Sequence, residues 1–392
     1  MIPAEVQQPL LADTPLPPAG LRIAVVGAGS SGLLLALILQ HQGHRVSLFE
    51  RSPQLRTEGC GILLVKSGVE AIAAAAIPGL LNDLLAGGHP VQRFVFRNLR
   101  GDLIEASPAE REAGDLPSLL IHRRAILDAL WRHLDPACFH GDHALVDWCQ
   151  NDEGVHARFS EGREWTGDLL VGADGIFSQV APLLCPERRL RYLGDRVWRG
   201  VVADGSFCRD GDFFVYARGR GIYANFFDLG SDAEGRELTH WGFFQEEELP
   251  EDRDRRRQLL DEGVPADALA KLPADAAAII AATPPQCVVA NWSFDIDPLR
   301  ALAGGRVALI GDAAHAMSSS QARGMTAGLE DAVALAARLA PGAATSLGQA
   351  LQAYEQERLP VVHRYQERSR QVSHRTGRKR PPGSRPSGGG ST

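Results

Sequence analysis

Apolar runs of four or five residues alternate with a helix-length apolar stretch at the start of this chain, the pattern of strand–helix–strand units feeding a parallel sheet. Residues 23–26 read as a strand, 33–39 as a helix and 45–49 as the next strand. The alternation continues to about Gly88 and predicts the start of a doubly wound sheet. The pattern then changes. Residues 91–98, a turn at 99–102 and the run 103–105 predict an antiparallel hairpin. A helix is expected at 124–134, then strands at 144–148 and 155–159 joined through 151–154. Residues 169–171 return to the parallel sheet.

Between Val197 and Phe244 strand-like runs dominate: 198–203, 212–217, 222–228 and 238–244, expected to form one antiparallel sheet. Helices are predicted at 251–261 and 265–282. Residues 287–294 and 306–310 are expected to rejoin the first domain, followed by a helix at 325–339 and another from Thr345 that is interrupted or kinked at Pro360. The fold class is therefore α/β: a doubly wound, Rossmann-type parallel sheet with an inserted antiparallel-sheet domain. The first domain takes 21–90, 119–190 and 286–372; the second takes 91–118 and 191–285.

Length and charge narrow the partners. A chain of 392 residues accommodates two cores. A formal net charge of −7 argues against nucleic acid and anionic membranes as main partners. No stretch approaches the ~18 apolar residues of a membrane helix. Residues 1–20 are proline-rich without a basic segment leading into an apolar core, and read as a disordered extension, not a signal peptide. The basic, glycine-ending stretch 373–392 reads as a disordered tail. Six cysteines are scattered without a C-x-x-C pair, which fits a reducing, cytoplasmic setting and supports no metal site.

Three motifs carry chemistry. Gly27-Ala28-Gly29-Ser30-Ser31-Gly32 lies between the first strand and the first helix. Gly27 permits the tight turn, Gly29 lets a pyrophosphate reach the main chain, and Gly32 allows close helix–strand packing. The helix start directs free N–H groups at the anion. Glu50 ends the next strand, eighteen residues past Gly32, where an acid accepts from ribose hydroxyls and repels a 2′-phosphate. The nucleotide expected here is a plain ADP moiety, FAD or NAD. Gly172-Ala173-Asp174-Gly175 and Gly311-Asp312-Ala313-Ala314-His315 each close a later strand. Gly219-Arg220-Gly221-Ile222-Tyr223-Ala224 also matches the glycine pattern, but it runs into a strand and reads as a hairpin turn. The chain thus holds one dinucleotide fingerprint.

In this order the three motifs resemble those of the single-component FAD-dependent aromatic hydroxylases, the group A flavoprotein monooxygenases that include p-hydroxybenzoate, salicylate and kynurenine hydroxylases. The similarity runs from about Leu21 to about Arg375. It implies bound FAD, with NADPH or NADH as a transient co-substrate, and hydroxylation or epoxidation of an aromatic or heteroaromatic small molecule by O2 through a C4a-hydroperoxyflavin. It also implies cofactor contacts from Gly27, Gly29, Ser31, Gly32, Glu50, Arg51, Asp174 and Asp312, the last to a ribityl hydroxyl. Gly61, in Thr57-Glu58-Gly59-Cys60-Gly61-Ile62, is expected near the flavin, Arg123 at the ribityl–pyrophosphate region, and Val146 at the edge of the adenine site. Gly324, Met325 and Thr326 open a helix whose N–H groups face flavin N1 and O2. His315 is read as ordering its loop.

Pocket candidates are Arg199, Tyr216, Tyr223, Phe226 and His240, with Trp241 also weighed, on the antiparallel sheet, and Arg323 beside the flavin. Two departures stand out: Ala181 where the family usually has Arg, and Ser318-Ser319-Ser320-Gln321-Ala322-Arg323 where it usually has Pro near the isoalloxazine. Alternative readings are a flavin-dependent halogenase, which needs a pocket lysine (Lys66 is the one near the cofactor segment), and a non-monooxygenase FAD protein or oxidase. A monomer or homodimer is expected.

Overall fold

The computed structural model describes residues 20–55, 59–232 and 234–375. Thr57 and Glu58 lie outside them, as do nearly all of the two terminal extensions. One sheet carries the nucleotide motifs. Its six strands run in the order Ala303–Gly304, Val307–Leu309, Leu169–Gly172, Arg22–Val26, Arg45–Phe49, Phe139–His140. All neighbours are parallel except the 303–304 strand, which folds back on its successor. Residues 23–26 are buried on both faces, which is why this strand reads as a continuous apolar run. The first helix, Ser30–His41, lies on the sheet and packs on its other side against the helix Gly324–Leu339.

The second sheet has seven strands: Val288–Ile296, Leu190–Val202, Glu237–Glu246, Ile222–Ser231, Asp212–Gly219, Arg93–Arg97, Leu103–Pro108. The hairpin expected near residue 100 forms and joins this sheet through a parallel pairing of Arg93–Arg97 with Asp212–Gly219. One expectation is not met. Residues 287–294 do not return to the parallel sheet: Val288–Ile296 pairs antiparallel with Leu190–Val202 as the edge strand of the second sheet. Strand propensity is the same for either destination, so only the pairing partner decides. The segment 265–282 is two helices, Ala266–Leu269 and Ala274–Ala281, the second starting after Pro273. The last helix, Leu347–Arg375, runs uninterrupted through Pro360. The 219–224 glycine pattern is a two-residue hairpin turn, with Gly219 opposite Ile222 and positive φ at Arg220 and Gly221.

Side chains alternate across the second sheet, and this alternation divides its residues between two environments. Trp198, Tyr216, Phe226, Trp241 and Phe243 form a dry core with the helices of 266–281. The opposite face, with Arg199, Phe213, Tyr223, Phe227, His240 and Phe244, lines a cavity toward the first sheet.

Candidate active site

A cleft of about 640 Å3 runs along the carboxyl ends of the parallel strands, past Gly27, Gly29, Glu50, Arg123, Asp174 and Asp312. Each motif glycine acts differently. Gly27 has φ +105, and a Cβ there would lie 2.3 Å from the Ala173 carbonyl oxygen. A Cβ on Gly32 would lie 2.0 Å from the Gly27 carbonyl oxygen, so helix and turn touch only because Gly32 has no side chain. A Cβ on Gly29 would meet nothing within 4 Å: this glycine borders the open cleft. The helix Ser30–His41 starts there with no side-chain cap and no acidic residue in its first turn. Its free N–H groups and positive dipole end are left for an anion.

Glu50 braces this turn from the neighbouring strand. It accepts from the Ala28 N–H at 3.0 Å and from the Ser52 N–H at 3.1 Å, and its side chain borders the cleft. Arg51 borders the cleft as well. Arg123 opens the helix Arg123–His133 and faces the cleft, whereas Arg124 turns to the surface and pairs with Asp128 at 3.4 Å. Asp174 Oδ2 accepts from the N–H groups of Gln179 (2.6 Å) and Val180 (3.2 Å), while Oδ1 is buried without a partner. Burial raises the Asp174 pKa despite those bonds. Asp312 is exposed to the cleft, although the residues that follow it, Ala313 to His315, are buried. Desolvation raises its pKa against the opposing pull of His315, Arg123 and Arg188.

A second cavity, of about 350 Å3, meets the first at Asp312. Gly61 lies at its edge and donates its N–H to His240 Nδ1 at 3.0 Å. That bond places the His240 proton on Nε2. Burial, then Arg199 and His122, hold its pKa well below the ordinary histidine value, so the ring is neutral. Burial raises the Tyr223 phenol, which remains a hydrogen-bond donor at neutral pH. Asp195 and Arg218 form a bidentate pair in the cavity wall, at 3.0 and 3.1 Å, with both side chains less than a tenth exposed. Arg199 donates to Asn291 Oδ1 at 2.6 Å and lies over the Phe244 ring, and among the described residues it has no carboxylate partner. Gly324 and Met325 line the same cavity where the helix Gly324–Leu339 begins without a side-chain cap.

The structure does not bring several expected residues into the site. Tyr216 and Phe226 lie on the dry face of their strands, 2% and 0% exposed, so Phe213 and Phe227 take the positions expected of them. Trp241 is on the dry face too. Ser31 packs its hydroxyl against Gly311 and Gly328 and does not line the cleft. Val146 is 56% exposed to solvent; the preceding residues, Ala144 and Leu145, line the cleft instead. Thr326 is fully buried beside Gly68. Arg323 points away from the cavity, donates to Ser67 Oγ at 2.8 Å and lies 5.4 Å from the Tyr365 ring centroid. Asp195, Arg218 and Asn225 were not singled out from sequence; the odd-numbered parity they share with Arg199 and Tyr223 along their strands is the signal that finds them, except for Arg218.

His315 orders its loop. It is fully buried, with Nε2 2.5 Å from Asp331 Oδ2, which also accepts from the Gly311 N–H at 2.9 Å. Arg358, from the last helix, donates to Asp331 Oδ1 at 2.8 Å. Burial alone would raise Asp331, but His315 and Arg358 outweigh it and keep the carboxyl below its ordinary range. Ala181 is buried in the core, while Arg188 donates to the Ile176 carbonyl at 2.6 Å within electrostatic reach of Asp174 and Asp312. Lys66 is on the surface, 2.7 Å from Asp115, and supplies no pocket lysine.

A glycine turn open to a helix N-terminus, an acid on the next strand and an aspartate open to the cleft at its junction with an aromatic-walled cavity together define a flavin-binding oxidoreductase. The FAD binding domain model matches residues 21–369, and the chain belongs to that family of flavin-dependent monooxygenases. It is 31% identical to the aurachin C monooxygenase/isomerase of Stigmatella aurantiaca over 81% of this chain and 80% of that protein. It is also 31% identical to a salicylate hydroxylase of Pseudomonas putida, over 89% and 85% of the two chains. Klebsiella pneumoniae HpxO, crystallised with FAD and uric acid, superposes with a TM-score of 0.77 at 25% identity, covering 91% of this chain and 88% of that one. Among the described residues, no helix is long and apolar enough to cross a membrane.

Proposed function

We propose that the protein holds FAD along the cleft from Gly29 to Asp312 and uses NADPH or NADH and O2 to hydroxylate a planar aromatic or heteroaromatic compound bearing an anionic or strongly accepting group. The observation that carries this reading is the meeting of the two cavities at Asp312, which sets a nucleotide-shaped cleft end to end with an aromatic-walled pocket. The open Gly29, the uncapped helix and the Asp312 carboxylate facing the cleft fit the pyrophosphate and the polyol of FAD. The bound flavin supplies the redox and oxygen chemistry. The chain's residues bind, orient and exclude water. Arg123 faces the cleft's anionic end, and the N–H groups at Gly324 and Met325 stabilise negative charge at the junction.

Charge in the cavity argues for the substrate. On the sheet wall Asp195 and Arg218 neutralise each other, His240 and Tyr223 are neutral, and Arg199 is left as the cation, while the Asp312 carboxylate stands at the junction with the nucleotide cleft. Phe213, Phe227 and Phe244 provide flat apolar walls for a ring. The test uses labelled O2 with a panel of carboxylated phenols, quinolones and purines. Substrate-stimulated NAD(P)H oxidation with one labelled oxygen in the product is the expected result. Product oxygen from water, or substrate oxidation with stoichiometric H2O2, would make the protein a dehydrogenase or an oxidase.

A further inference from the structure

The pocket has a wall that comes from the far end of the chain. The loop 316–323 joins the His315 motif to the helix Gly324–Leu339, and Met317, Ser318, Ser319, Ser320 and Ala322 line the cavity. This loop lacks regular hydrogen bonding of its own beyond one short turn at Ser319–Gln321, and Ala322 takes a left-handed conformation, φ 52. Arg323 anchors the loop's end to Ser67, the Ile296 N–H donates to the Ala316 carbonyl at 3.2 Å, and the last helix holds its middle. Ser369 Oγ donates to the Ser318 carbonyl at 2.7 Å, and Ser320 Oγ donates to the Ser369 carbonyl at 2.8 Å. Gln366, one turn earlier, donates from Nε2 to the carbonyls of Ala316 (3.3 Å) and Ile296 (3.2 Å). Arg370 grips both oxygens of Asp295, at 2.8 and 3.1 Å, and so ties the same helix to the second sheet. Three residues after Ser369, Val372 reaches the cavity.

A serine within a helix ordinarily bonds back to the carbonyl of the preceding turn or points to solvent. Ser369 does neither: it is fully buried, and its hydroxyl crosses to another segment. Gln366 is 1% exposed and likewise spends its amide donors on foreign carbonyls. We propose that Ser369 and Gln366 are positioning residues that hold the loop 316–323 as a wall of the flavin-facing cavity, and that Val372 closes that wall against water. The C-terminal helix is thus a strap over the active site. A loop freed from the strap gives solvent a path to the flavin, and excluding water is what keeps a reactive oxidant from being discharged unproductively.

The inference rests on the flavin site above but not on hydroxylation, and its first test needs no turnover. In the FAD-loaded full chain, acrylamide quenching of flavin fluorescence reads solvent access. Ser369→Ala and Val372→Ala are expected to raise the quenching constant about twofold through local opening, with FAD affinity unchanged. Ser369→Thr keeps the hydroxyl and should behave like the parent. As a second readout, the H2O2 released per NADH consumed should rise in the two alanine variants and not in Ser369→Thr. Parent-like quenching in both alanine variants overturns the proposal, as does an equal rise in Ser369→Thr. If Ser369→Ala does not fold, Val372→Ala and Ser369→Thr decide by the same criteria. A parent chain that fails to retain FAD would instead refute the flavin site itself.

Discussion

Gly29 and Gly32 lie three positions apart in one motif and answer to different constraints. A side chain on Gly29 enters open cleft, so Gly29→Val should leave the apo fold intact and abolish FAD retention. A side chain on Gly32 collides with the Gly27 carbonyl, so Gly32→Val should lower the melting temperature of the apo chain itself. Thermal melts with and without FAD separate the two, and a Gly29→Val chain that stays yellow refutes the pyrophosphate assignment. The neighbouring arginines allow a similar contrast. Arg123→Ala is expected to weaken FAD binding by roughly 1–3 kcal/mol, the cost of a lost charged hydrogen bond, whereas Arg124→Ala on the surface should not. Titration of the apo chain with FAD measures both. The motifs were legible in sequence because each residue acts through its own backbone or its place at a strand end.

At the level of elements, facing decides. Phe226 and Phe227 are adjacent on Ile222–Ser231 but lie on opposite sides of the sheet. Phe226→Ala should cost about 3–5 kcal/mol of stability by opening the dry core. Phe227→Ala should cost less and mainly change ligand binding, because its ring borders a cavity. Urea denaturation of both variants tests this, and equal losses would contradict the facing. Sequence named Tyr223 and Phe226 together although a strand cannot send both to one face. A second element contact is more demanding. Arg358 reaches from the last helix to the buried Asp331 that also holds His315 and Gly311. Arg358→Met leaves that carboxylate short of a counter-charge, and a loss of about 3–5 kcal/mol is expected in the same denaturation experiment.

For the whole molecule, histidine burial sets a dependence on pH. Burial lowers the pKa of His44, His122 and His140, and lowers that of His240 furthest. The native state therefore binds fewer protons than the unfolded chain once pH falls below the ordinary histidine value. Their contribution to stability is complete above about pH 6.5 and is lost as pH falls toward the depressed native values. Asp174 and Asp312, raised by burial, act in the opposite sense at lower pH. His240→Asn keeps an acceptor for the Gly61 N–H but cannot take a proton. Its melting temperature should fall less between pH 7.5 and pH 5.5 than the parent's, and an identical slope would show that His240 does not titrate on unfolding.

The sequence by itself determined the parallel sheet, the order of its three motifs, the hairpin near residue 100 and the flavin-binding character of the chain. Those features rest on local constraints: apolar runs, glycines that tolerate close approach, and acids at strand ends. Tertiary structure alone decided where Val288–Ile296 pairs, because strand pattern does not name a partner. It alone turned Arg323 toward Ser67 and Tyr365 and carried Ser369 to the loop beside the flavin cavity. These are contacts between segments far apart in the chain, and no local spacing encodes them. The pocket's chemistry is of this second kind, since each strand contributes alternate residues and the facing is set by what the sheet packs against.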